Sequence, residues 1–260
     1  MKKEIKTIDK TKGIVRITTV DERWYARPGK DPETGLPVID YFPSSTWIAG
    51  CYPKGIGFWK WLAEKGWDEA QAIKESRGTS GSKTHQAIDY LEENGKLPID
   101  MVFEDEPLAI EELEAIMGFV RWWDENKPET LAGEMTVFGD GYAGTLDRIY
   151  RIGGQIWIVD FKTSQYIWTS MKIQISSYSH ADVDIKSLGI TQEEWDNRKL
   201  AVLQVGYRMN KRRFKFTEIE DRFDLFKISK VIWETENPQA KVQEKDFPLI
   251  IKLQKEKDNG

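Results

Sequence analysis

The chain has 260 residues, 40% of them hydrophobic and 31% charged, with 38 basic and 43 acidic side chains for a formal net charge of −5. This is the composition of a globular protein, and the length suits one large domain or one domain with an appended lobe. A single cysteine, Cys51, excludes an internal disulfide framework, a four-cysteine zinc site and a four-cysteine iron–sulfur cluster. The acidic balance argues against coating nucleic acid by bulk charge, but leaves room for a local grip through a metal site. No apolar run approaches the about 18 residues of a membrane span, and no apolar stretch of signal-peptide type follows Met1-Lys2-Lys3-Glu4. The expectation is a cytoplasmic protein with no membrane partner.

In chain order, Val15 to Tyr25 reads as a short extended start, and a loop follows, marked by Pro28-Gly29, Pro32, Gly35, Pro37 and Pro43. Residues 21–67 carry 10 of the 31 aromatic side chains. Most of these suit a core, with stacking on unpaired bases as the functional alternative. Helices are predicted near Ser45–Gly50, Gly57–Lys65 and Asp68–Ser76. The last leads into a loop, Arg77-Gly78-Thr79-Ser80-Gly81-Ser82. That loop precedes a helix over Ser82–Glu93, with Ser82 as N-cap and Gly95 as the stop. A loop at a helix N-terminus can accept a phosphate, or it can simply enter the helix. Leu113, Ile116, Met117, Val120 and Trp123 recur at the helical period and predict a helix over Glu111–Asn126.

The pattern then changes. Residues Thr130 to Lys162 read as three strands, joined by turns at Gly139-Asp140-Gly141 and Gly153-Gly154. A helix over Ser170–Ala181 follows, then a hairpin over Leu200–Ile219 turning near Asn210-Lys211, a helix over Asp221–Glu234 and a mixed tail. The predicted class is α/β or α+β, a central mixed sheet with an antiparallel meander flanked by helices. Residues 1–77 would form an aromatic-rich lobe and 78–235 the core of a single domain.

The meander carries the most informative residues. In a two-residue hairpin, paired positions keep a constant index sum. With Gly153-Gly154 as the turn, Ile152 faces Gln155, and the same register puts Asp147 opposite Asp160. With Asp140-Gly141 as the preceding turn, Glu134 falls opposite Asp147, so three carboxylates would cross three strands in a row. One extra residue in the first loop would break that row. Alternation puts Lys162 on the face of Asp160 and turns Phe161 away. Like charges directly opposite destabilise a sheet, so the row asks for a counter-ion. A divalent cation on carboxylate oxygens beside a lysine suits phosphodiester hydrolysis. The alternative is a solvated acidic face with a chance Asp-x-Lys.

Gly144-Thr145-Leu146-Asp147-Arg148, Val159-Asp160-Phe161-Lys162-Thr163-Ser164 and Gln174-Ile175-Ser176-Ser177-Tyr178 follow in that order, with Gly81-Ser82-Lys83-Thr84-His85 upstream. Together they resemble the PD-(D/E)xK nuclease superfamily, and within it the RecB-type and phage-type exonucleases. Pro43-Ser44-Ser45-Thr46 and Tyr52-Pro53-Lys54 resemble phage-type members more loosely. The resemblance implies a restriction-endonuclease-like core. It also implies Mg2+ or Mn2+ held by His85, Asp147, Asp160 and the Phe161 carbonyl, with Lys162 catalytic and Glu134 ligating or positioning a water. Gln174 and Tyr178, one helical turn apart, would contact DNA or buttress the site. Members with an iron–sulfur cluster need four cysteines, so no such cluster is expected.

Residue pattern alone reads His85 as a core histidine, because it lies three residues before Ile88; the resemblance makes it a ligand. His180 reads as surface and Cys51 as a small buried or half-buried residue. Arg208, Lys211, Arg212 and Arg213, with Lys215, cluster at the late hairpin as candidate phosphate contacts, or as a charged tip that keeps a sheet edge soluble. The expected activity is a metal-dependent DNA exonuclease that works from free ends and prefers single strands. It would serve a bacterial host or a phage, in phage or mobile-element recombination. An endonuclease of restriction or repair type with the same site, and a non-catalytic nucleic-acid-binding module, are the alternatives.

Overall fold

The computed structural model describes residues 4–19 and 22–242; the mixed tail lies outside these from residue 243 onward. The chain opens with an antiparallel sheet of β1 (Glu4–Asp9), β2 (Ile14–Thr18), β3 (Arg23–Lys30) and β4 (Pro37–Pro43), in that order. The extended start is therefore only a part of a four-stranded sheet, and strands take up much of the predicted loop, which survives as the turn at Asp31–Leu36 with Pro32 and Gly35. Pro28 and Gly29 sit inside β3, paired with Ile39 and Val38. Turn-forming residues are overridden here by burial: Trp24, Tyr25 and Ala26 in the same strand are almost fully enclosed.

Next come α1 (Ser45–Gly50), α2 (Ile56–Lys65) and α3 (Trp67–Asn94). Ser44 caps α1 by accepting the Trp47 N–H at 3.1 Å. The predicted loop over 77–82 does not exist, because α3 runs unbroken through Gly78 and Gly81. It stops where expected, at Gly95 in the left-handed conformation (φ 68°). Two glycines cost a helix about 1 kcal/mol each, and tertiary contacts on this stretch offset that. Lys83, 4% exposed, pairs with Glu112 at 3.0 Å and donates to the Pro107 carbonyl at 2.9 Å. Arg77 pairs with Glu111 at 3.0 Å. The 77/78 boundary thus falls inside one helix, and the Gly78–Ser82 backbone N–H groups are not a helix N-terminus.

A small ladder of β5 (Val102–Phe103) and β6 (Glu106–Pro107) leads to α4 (Ile110–Asn126). The predicted meander follows as β7 (Glu129–Gly139), β8 (Tyr142–Ile152) and β9 (Gln155–Lys162). After α5 (Thr169–Ser179) and the short α6 (Gln192–Asp196), β10 (Lys199–Val205) runs parallel to β9 and pairs with β11 (Phe214–Ile219). The last described helix is α7 (Phe223–Glu236). The main sheet is mixed, ordered β11-β10-β9-β8-β7.

Alternation along β9 divides the core. Val159 and Phe161 face α3 and α4, packing with Ile88, Phe119 and Trp122. Ile156 and Ile158 face the other way, toward Ile173, Tyr178 and Phe226. This makes an α/β arrangement of helices on both faces of a mixed sheet. The N-terminal sheet is joined to it by the edge-to-face cluster of Trp24, Trp47 and Trp233, with centroids 5.0 to 6.1 Å apart. No described helix is long and apolar enough to cross a membrane.

The buried Lys83–Glu112 pair should behave as a matched set. Lys83→Met should cost about 3–5 kcal/mol in urea unfolding, because it strands the Glu112 carboxylate. Lys83→Met with Glu112→Gln should recover much of that loss, since the amide keeps an acceptor for the Ala109 N–H without the stranded charge.

Candidate metal centre

The site forms where β8 and β9 part. Their ladder runs from Ile152–Gln155 to Arg148–Val159 and ends there. One position further, the Asp147 carboxylate takes the place of the missing strand partner: its Oδ2 accepts the Phe161 N–H at 2.6 Å. Asp147 is therefore held rigidly, with Oδ1 turned toward α3.

The register arithmetic for β7 also holds at this point. Glu134 falls opposite Asp147, between the pairs Gly133–Arg148 and Met135–Leu146, and the irregularity at Thr130–Ala132 lies beyond it. Glu134 nevertheless leaves the ladder, with a left-handed backbone (φ 44°). For a non-glycine residue that conformation costs about 1–2 kcal/mol.

From α3, His85 completes the cluster. Its Nδ1 lies 3.7 Å from Asp147 Oδ1 and 4.0 Å from Glu134 Oε1. The three donor atoms all fall within 4.8 Å of one another, so this trio could hold a metal ion. Two carboxylates with one imidazole are a donor set that suits a divalent cation. Of the expected ligands, His85 and Asp147 belong to the trio, and Glu134 joins them in the ligating one of its two expected roles. The Phe161 carbonyl instead faces His85 Nε2 at 3.2 Å, where it can accept the ring N–H and aim Nδ1 at the carboxylates.

Asp160 lies outside this trio. Its Oδ2 sits 2.5 Å from Lys162 Nζ and forms a buried ion pair with it. Burial pushes the Asp160 carboxyl up to about 6; Asp147 adds to the rise, and Lys162 opposes it. Burial also depresses the Lys162 ammonium, but Asp160 and Asp147 outweigh that and raise it overall. Glu134 is pushed up to about 7, first by desolvation and then by Asp147 and Asp89, with His85 acting in the opposite direction.

Arg148, the residue after Asp147, ties α3 to the sheet. Only 3% exposed, it pairs with Asp89 and with Glu92, the latter at 3.1 Å. Tyr150 donates to the same Glu92 at 2.6 Å. The motif glycine has a steric cause: a Cβ on Gly144 would stand 2.5 Å from Tyr178 Cε1 and 3.0 Å from Ser45 Oγ. Tyr178 is 2% exposed, and its hydroxyl accepts from Gln174 at 2.6 Å. Tyr178 thus reaches the cleft with little free surface, and its ring supports the strand that carries Asp147. Gln174 lines the cleft and also reaches Thr46 Oγ1 at 3.0 Å.

The late hairpin does not join the site. Arg208, Arg212 and Arg213 pair with Glu111, Glu125 and Glu114 of α4 at 2.9, 3.0 and 3.2 Å. Lys211 is exposed at the tip of that loop, and none of the four lines the cleft. The three arginines thus neutralise carboxylates of a helix. His180 stacks on Phe223 with centroids 4.0 Å apart, and Cys51 is half-buried at the core's edge.

The cleft holds about 890 Å³, and its other walls come from the N-terminal sheet, the α1–α2 connection and α3. Lys6, Arg16, Arg23, Lys54 and Lys74 line it. Sequence reading missed these cations because they are scattered over the first 74 positions with no local pattern.

No family model matches the chain, and no curated protein matches it. Ten chains of solved structure match. One, described as the crystal structure of SSO0001, is 17% identical over 64% of this chain and 76% of that chain, with a TM-score of 0.29. A superposition at that score carries no information about this chain's fold or activity.

Two outcomes are expected from this geometry. Gly144→Ala should lower stability by about 1–3 kcal/mol in urea unfolding, because the buried Tyr178 ring has no room to yield. An acid with a raised folded-state pKa keeps its proton longer when folded than when unfolded. In the metal-free protein Glu134 and Asp160 should therefore contribute a loss of stability as pH rises from about 4 to about 7. Glu134→Gln should flatten that fall in a thermal-melt series, and should also remove most of any rise in Tm that Mg2+ produces in the parent.

Proposed function

We propose that the protein is a metal-dependent deoxyribonuclease with a restriction-endonuclease-like core, acting as an exonuclease on free, single-stranded DNA ends. The observation that carries this reading is the convergence of His85, Glu134 and Asp147 into one donor cluster beside the Asp160–Lys162 pair. The four resemblance motifs, though they lie as much as 93 positions apart in the chain, supply every one of these residues except Glu134.

Within this reading each residue has a task set by its surroundings. His85, Glu134 and Asp147 hold Mg2+ or Mn2+. When bound, the ion lowers the pKa of a water and offsets charge on the scissile phosphate. Lys162 is kept charged by Asp160 and Asp147 and is only 20% exposed. Its ammonium can orient the attacking water and hold a non-bridging phosphate oxygen as charge develops there. Asp160, buried beside it, fixes the direction of that ammonium. The His85 Nε2–H is held by the Phe161 carbonyl, so the imidazole does not rotate away from the carboxylates. Glu134, half-exposed at the mouth of the site, is placed to take a proton from water entering from the cleft.

The test is a digestion time course on end-labelled linear single-stranded, linear double-stranded and closed circular DNA, with Mg2+, Mn2+ or EDTA. Metal-dependent loss of linear substrates with circles intact is expected. Lys162→Ala should abolish cleavage while DNA binding in EDTA largely survives. Cleaved circles would make the protein an endonuclease. A Lys162→Ala variant that cuts at the parental rate would sink the assignment.

A further inference from the structure

The N-terminal sheet contains a second like-charge row. Lys6 on β1 pairs directly with Arg16 on β2, and Arg16 pairs directly with Tyr25 on β3. Directly opposed residues share a sheet face, and Arg23, two positions before Tyr25, lies on that face too. Adjacent strands step by about 5 Å, so cations stand side by side on neighbouring strands. Direct opposition of like charges destabilises a sheet, and the β1 carboxylate that shares this face, Glu4, lies in the neighbouring row opposite Thr18 rather than opposite a cation. Among the described residues no ion pair engages Lys6, Arg16 or Arg23. Arg16 Nε is buried without a hydrogen-bond partner. By contrast, three of the late-hairpin arginines are all matched to carboxylates of α4.

The row has a direction. Tyr25 exchanges a hydrogen bond with Thr145 Oγ1 at 3.0 Å, and Thr145 stands two residues before Asp147 on β8. The face that carries the cations is thereby fastened to the strand that carries the metal-cluster aspartate. Lys6, Arg16 and Arg23 line the same cleft as Asp147 and Lys162, and Lys54 and Lys74 extend the charge along its wall. On a chain of net charge −5, this concentration of cations beside a carboxylate cluster calls for a polyanion that spans both.

We infer that the Lys6–Arg16–Arg23 face of the N-terminal sheet is the phosphate-backbone grip for a nucleic-acid strand. It holds the segment next to the scissile phosphate by charge and without reading bases. The inference rests on the nuclease reading and adds to it the surface that binds substrate.

The experiment is fluorescence anisotropy of a fluorescein-labelled oligothymidylate in EDTA over a salt series. A triple variant, Lys6→Gln with Arg16→Gln and Arg23→Gln, keeps the polar stems and removes three charges. Its log–log salt slope should be shallower than the parent's by about two to three, since each phosphate contact contributes about 0.7–0.9. Lys6→Glu alone, at an exposed position that the fold does not need, should weaken binding in the same direction. In Mg2+ the triple variant should show a raised KM with kcat largely kept, which a merely unstable variant would not. Arg208→Gln with Arg212→Gln should leave the slope unchanged. Parental affinity and slope in both the triple variant and Lys6→Glu would overturn this inference, while cleavage by the parent would leave the nuclease reading standing. A parent that neither binds nor cleaves any of the DNA substrates would overturn both.

Discussion

One hydrogen bond marks the place where the sheet becomes a site. Strands β8 and β9 stop exchanging backbone bonds after Arg148–Val159, and a parting pair of strands leaves an orphaned amide at Phe161. A buried N–H without a partner is costly. The Asp147 carboxylate satisfies it at 2.6 Å, and in doing so becomes fixed with one oxygen free to face α3. Everything around it follows from that splay. The opened strands make room for Lys162 to fold back onto Asp160, and they expose the Phe161 carbonyl that faces the His85 ring.

A rigid carboxylate is useful only if the helix opposite is equally well placed. Arg148 provides the tie. Its buried guanidinium meets Asp89 and Glu92, one and two turns after His85 on α3, and Tyr150 and Thr130 donate to the same Glu92. A buried cation with several acceptors is costly to break, so the spacing between α3 and β8 is tightly set. On the other side of the sheet, the Tyr178 ring lies against Gly144. Motif residues that share no chemistry with the metal cluster are explained in this way as the parts that hold it still.

The charge distribution gives the cleft two unlike halves. The floor gathers Glu134 and Asp160, whose carboxyl pKa values are raised first by burial and further by Asp147, so that a cation is favoured there. The N-terminal wall gathers cations on paired strands, so that an anion is favoured there. Each half is an arrangement that a folded protein tolerates at some cost to stability, which is the usual mark of a surface shaped for a ligand.

Local rules carried the sequence far in the meander. Two-residue turns at Asp140-Gly141 and Gly153-Gly154 fix strand register, so the opposition of Glu134, Asp147 and Asp160 could be read by arithmetic, and the ladder agrees along β8–β9 and along β7–β8 as far as Ala132–Ile149. The helical period over 111–126 and the glycine stop at Gly95 were legible for the same reason: each depends on neighbours in the chain. Tertiary structure alone decided the rest. Gly78 and Gly81 stay helical because long-range ion pairs on Arg77 and Lys83 hold that stretch of α3. Pro28 and Gly29 lie in a strand because Trp24, Tyr25 and Ala26 are buried by distant partners. Glu134 joins the metal cluster through a left-handed backbone that no residue pattern announces, and Phe161 serves His85 because of where α3 crosses the strand end. The cations near the cleft are far apart in sequence, so only strand pairing brings them together, whereas the conspicuous cluster at Arg208–Arg213 is spent on α4. Spacing along the chain determines what a segment is and how near strands align; which distant charges meet depends on packing that no local pattern encodes.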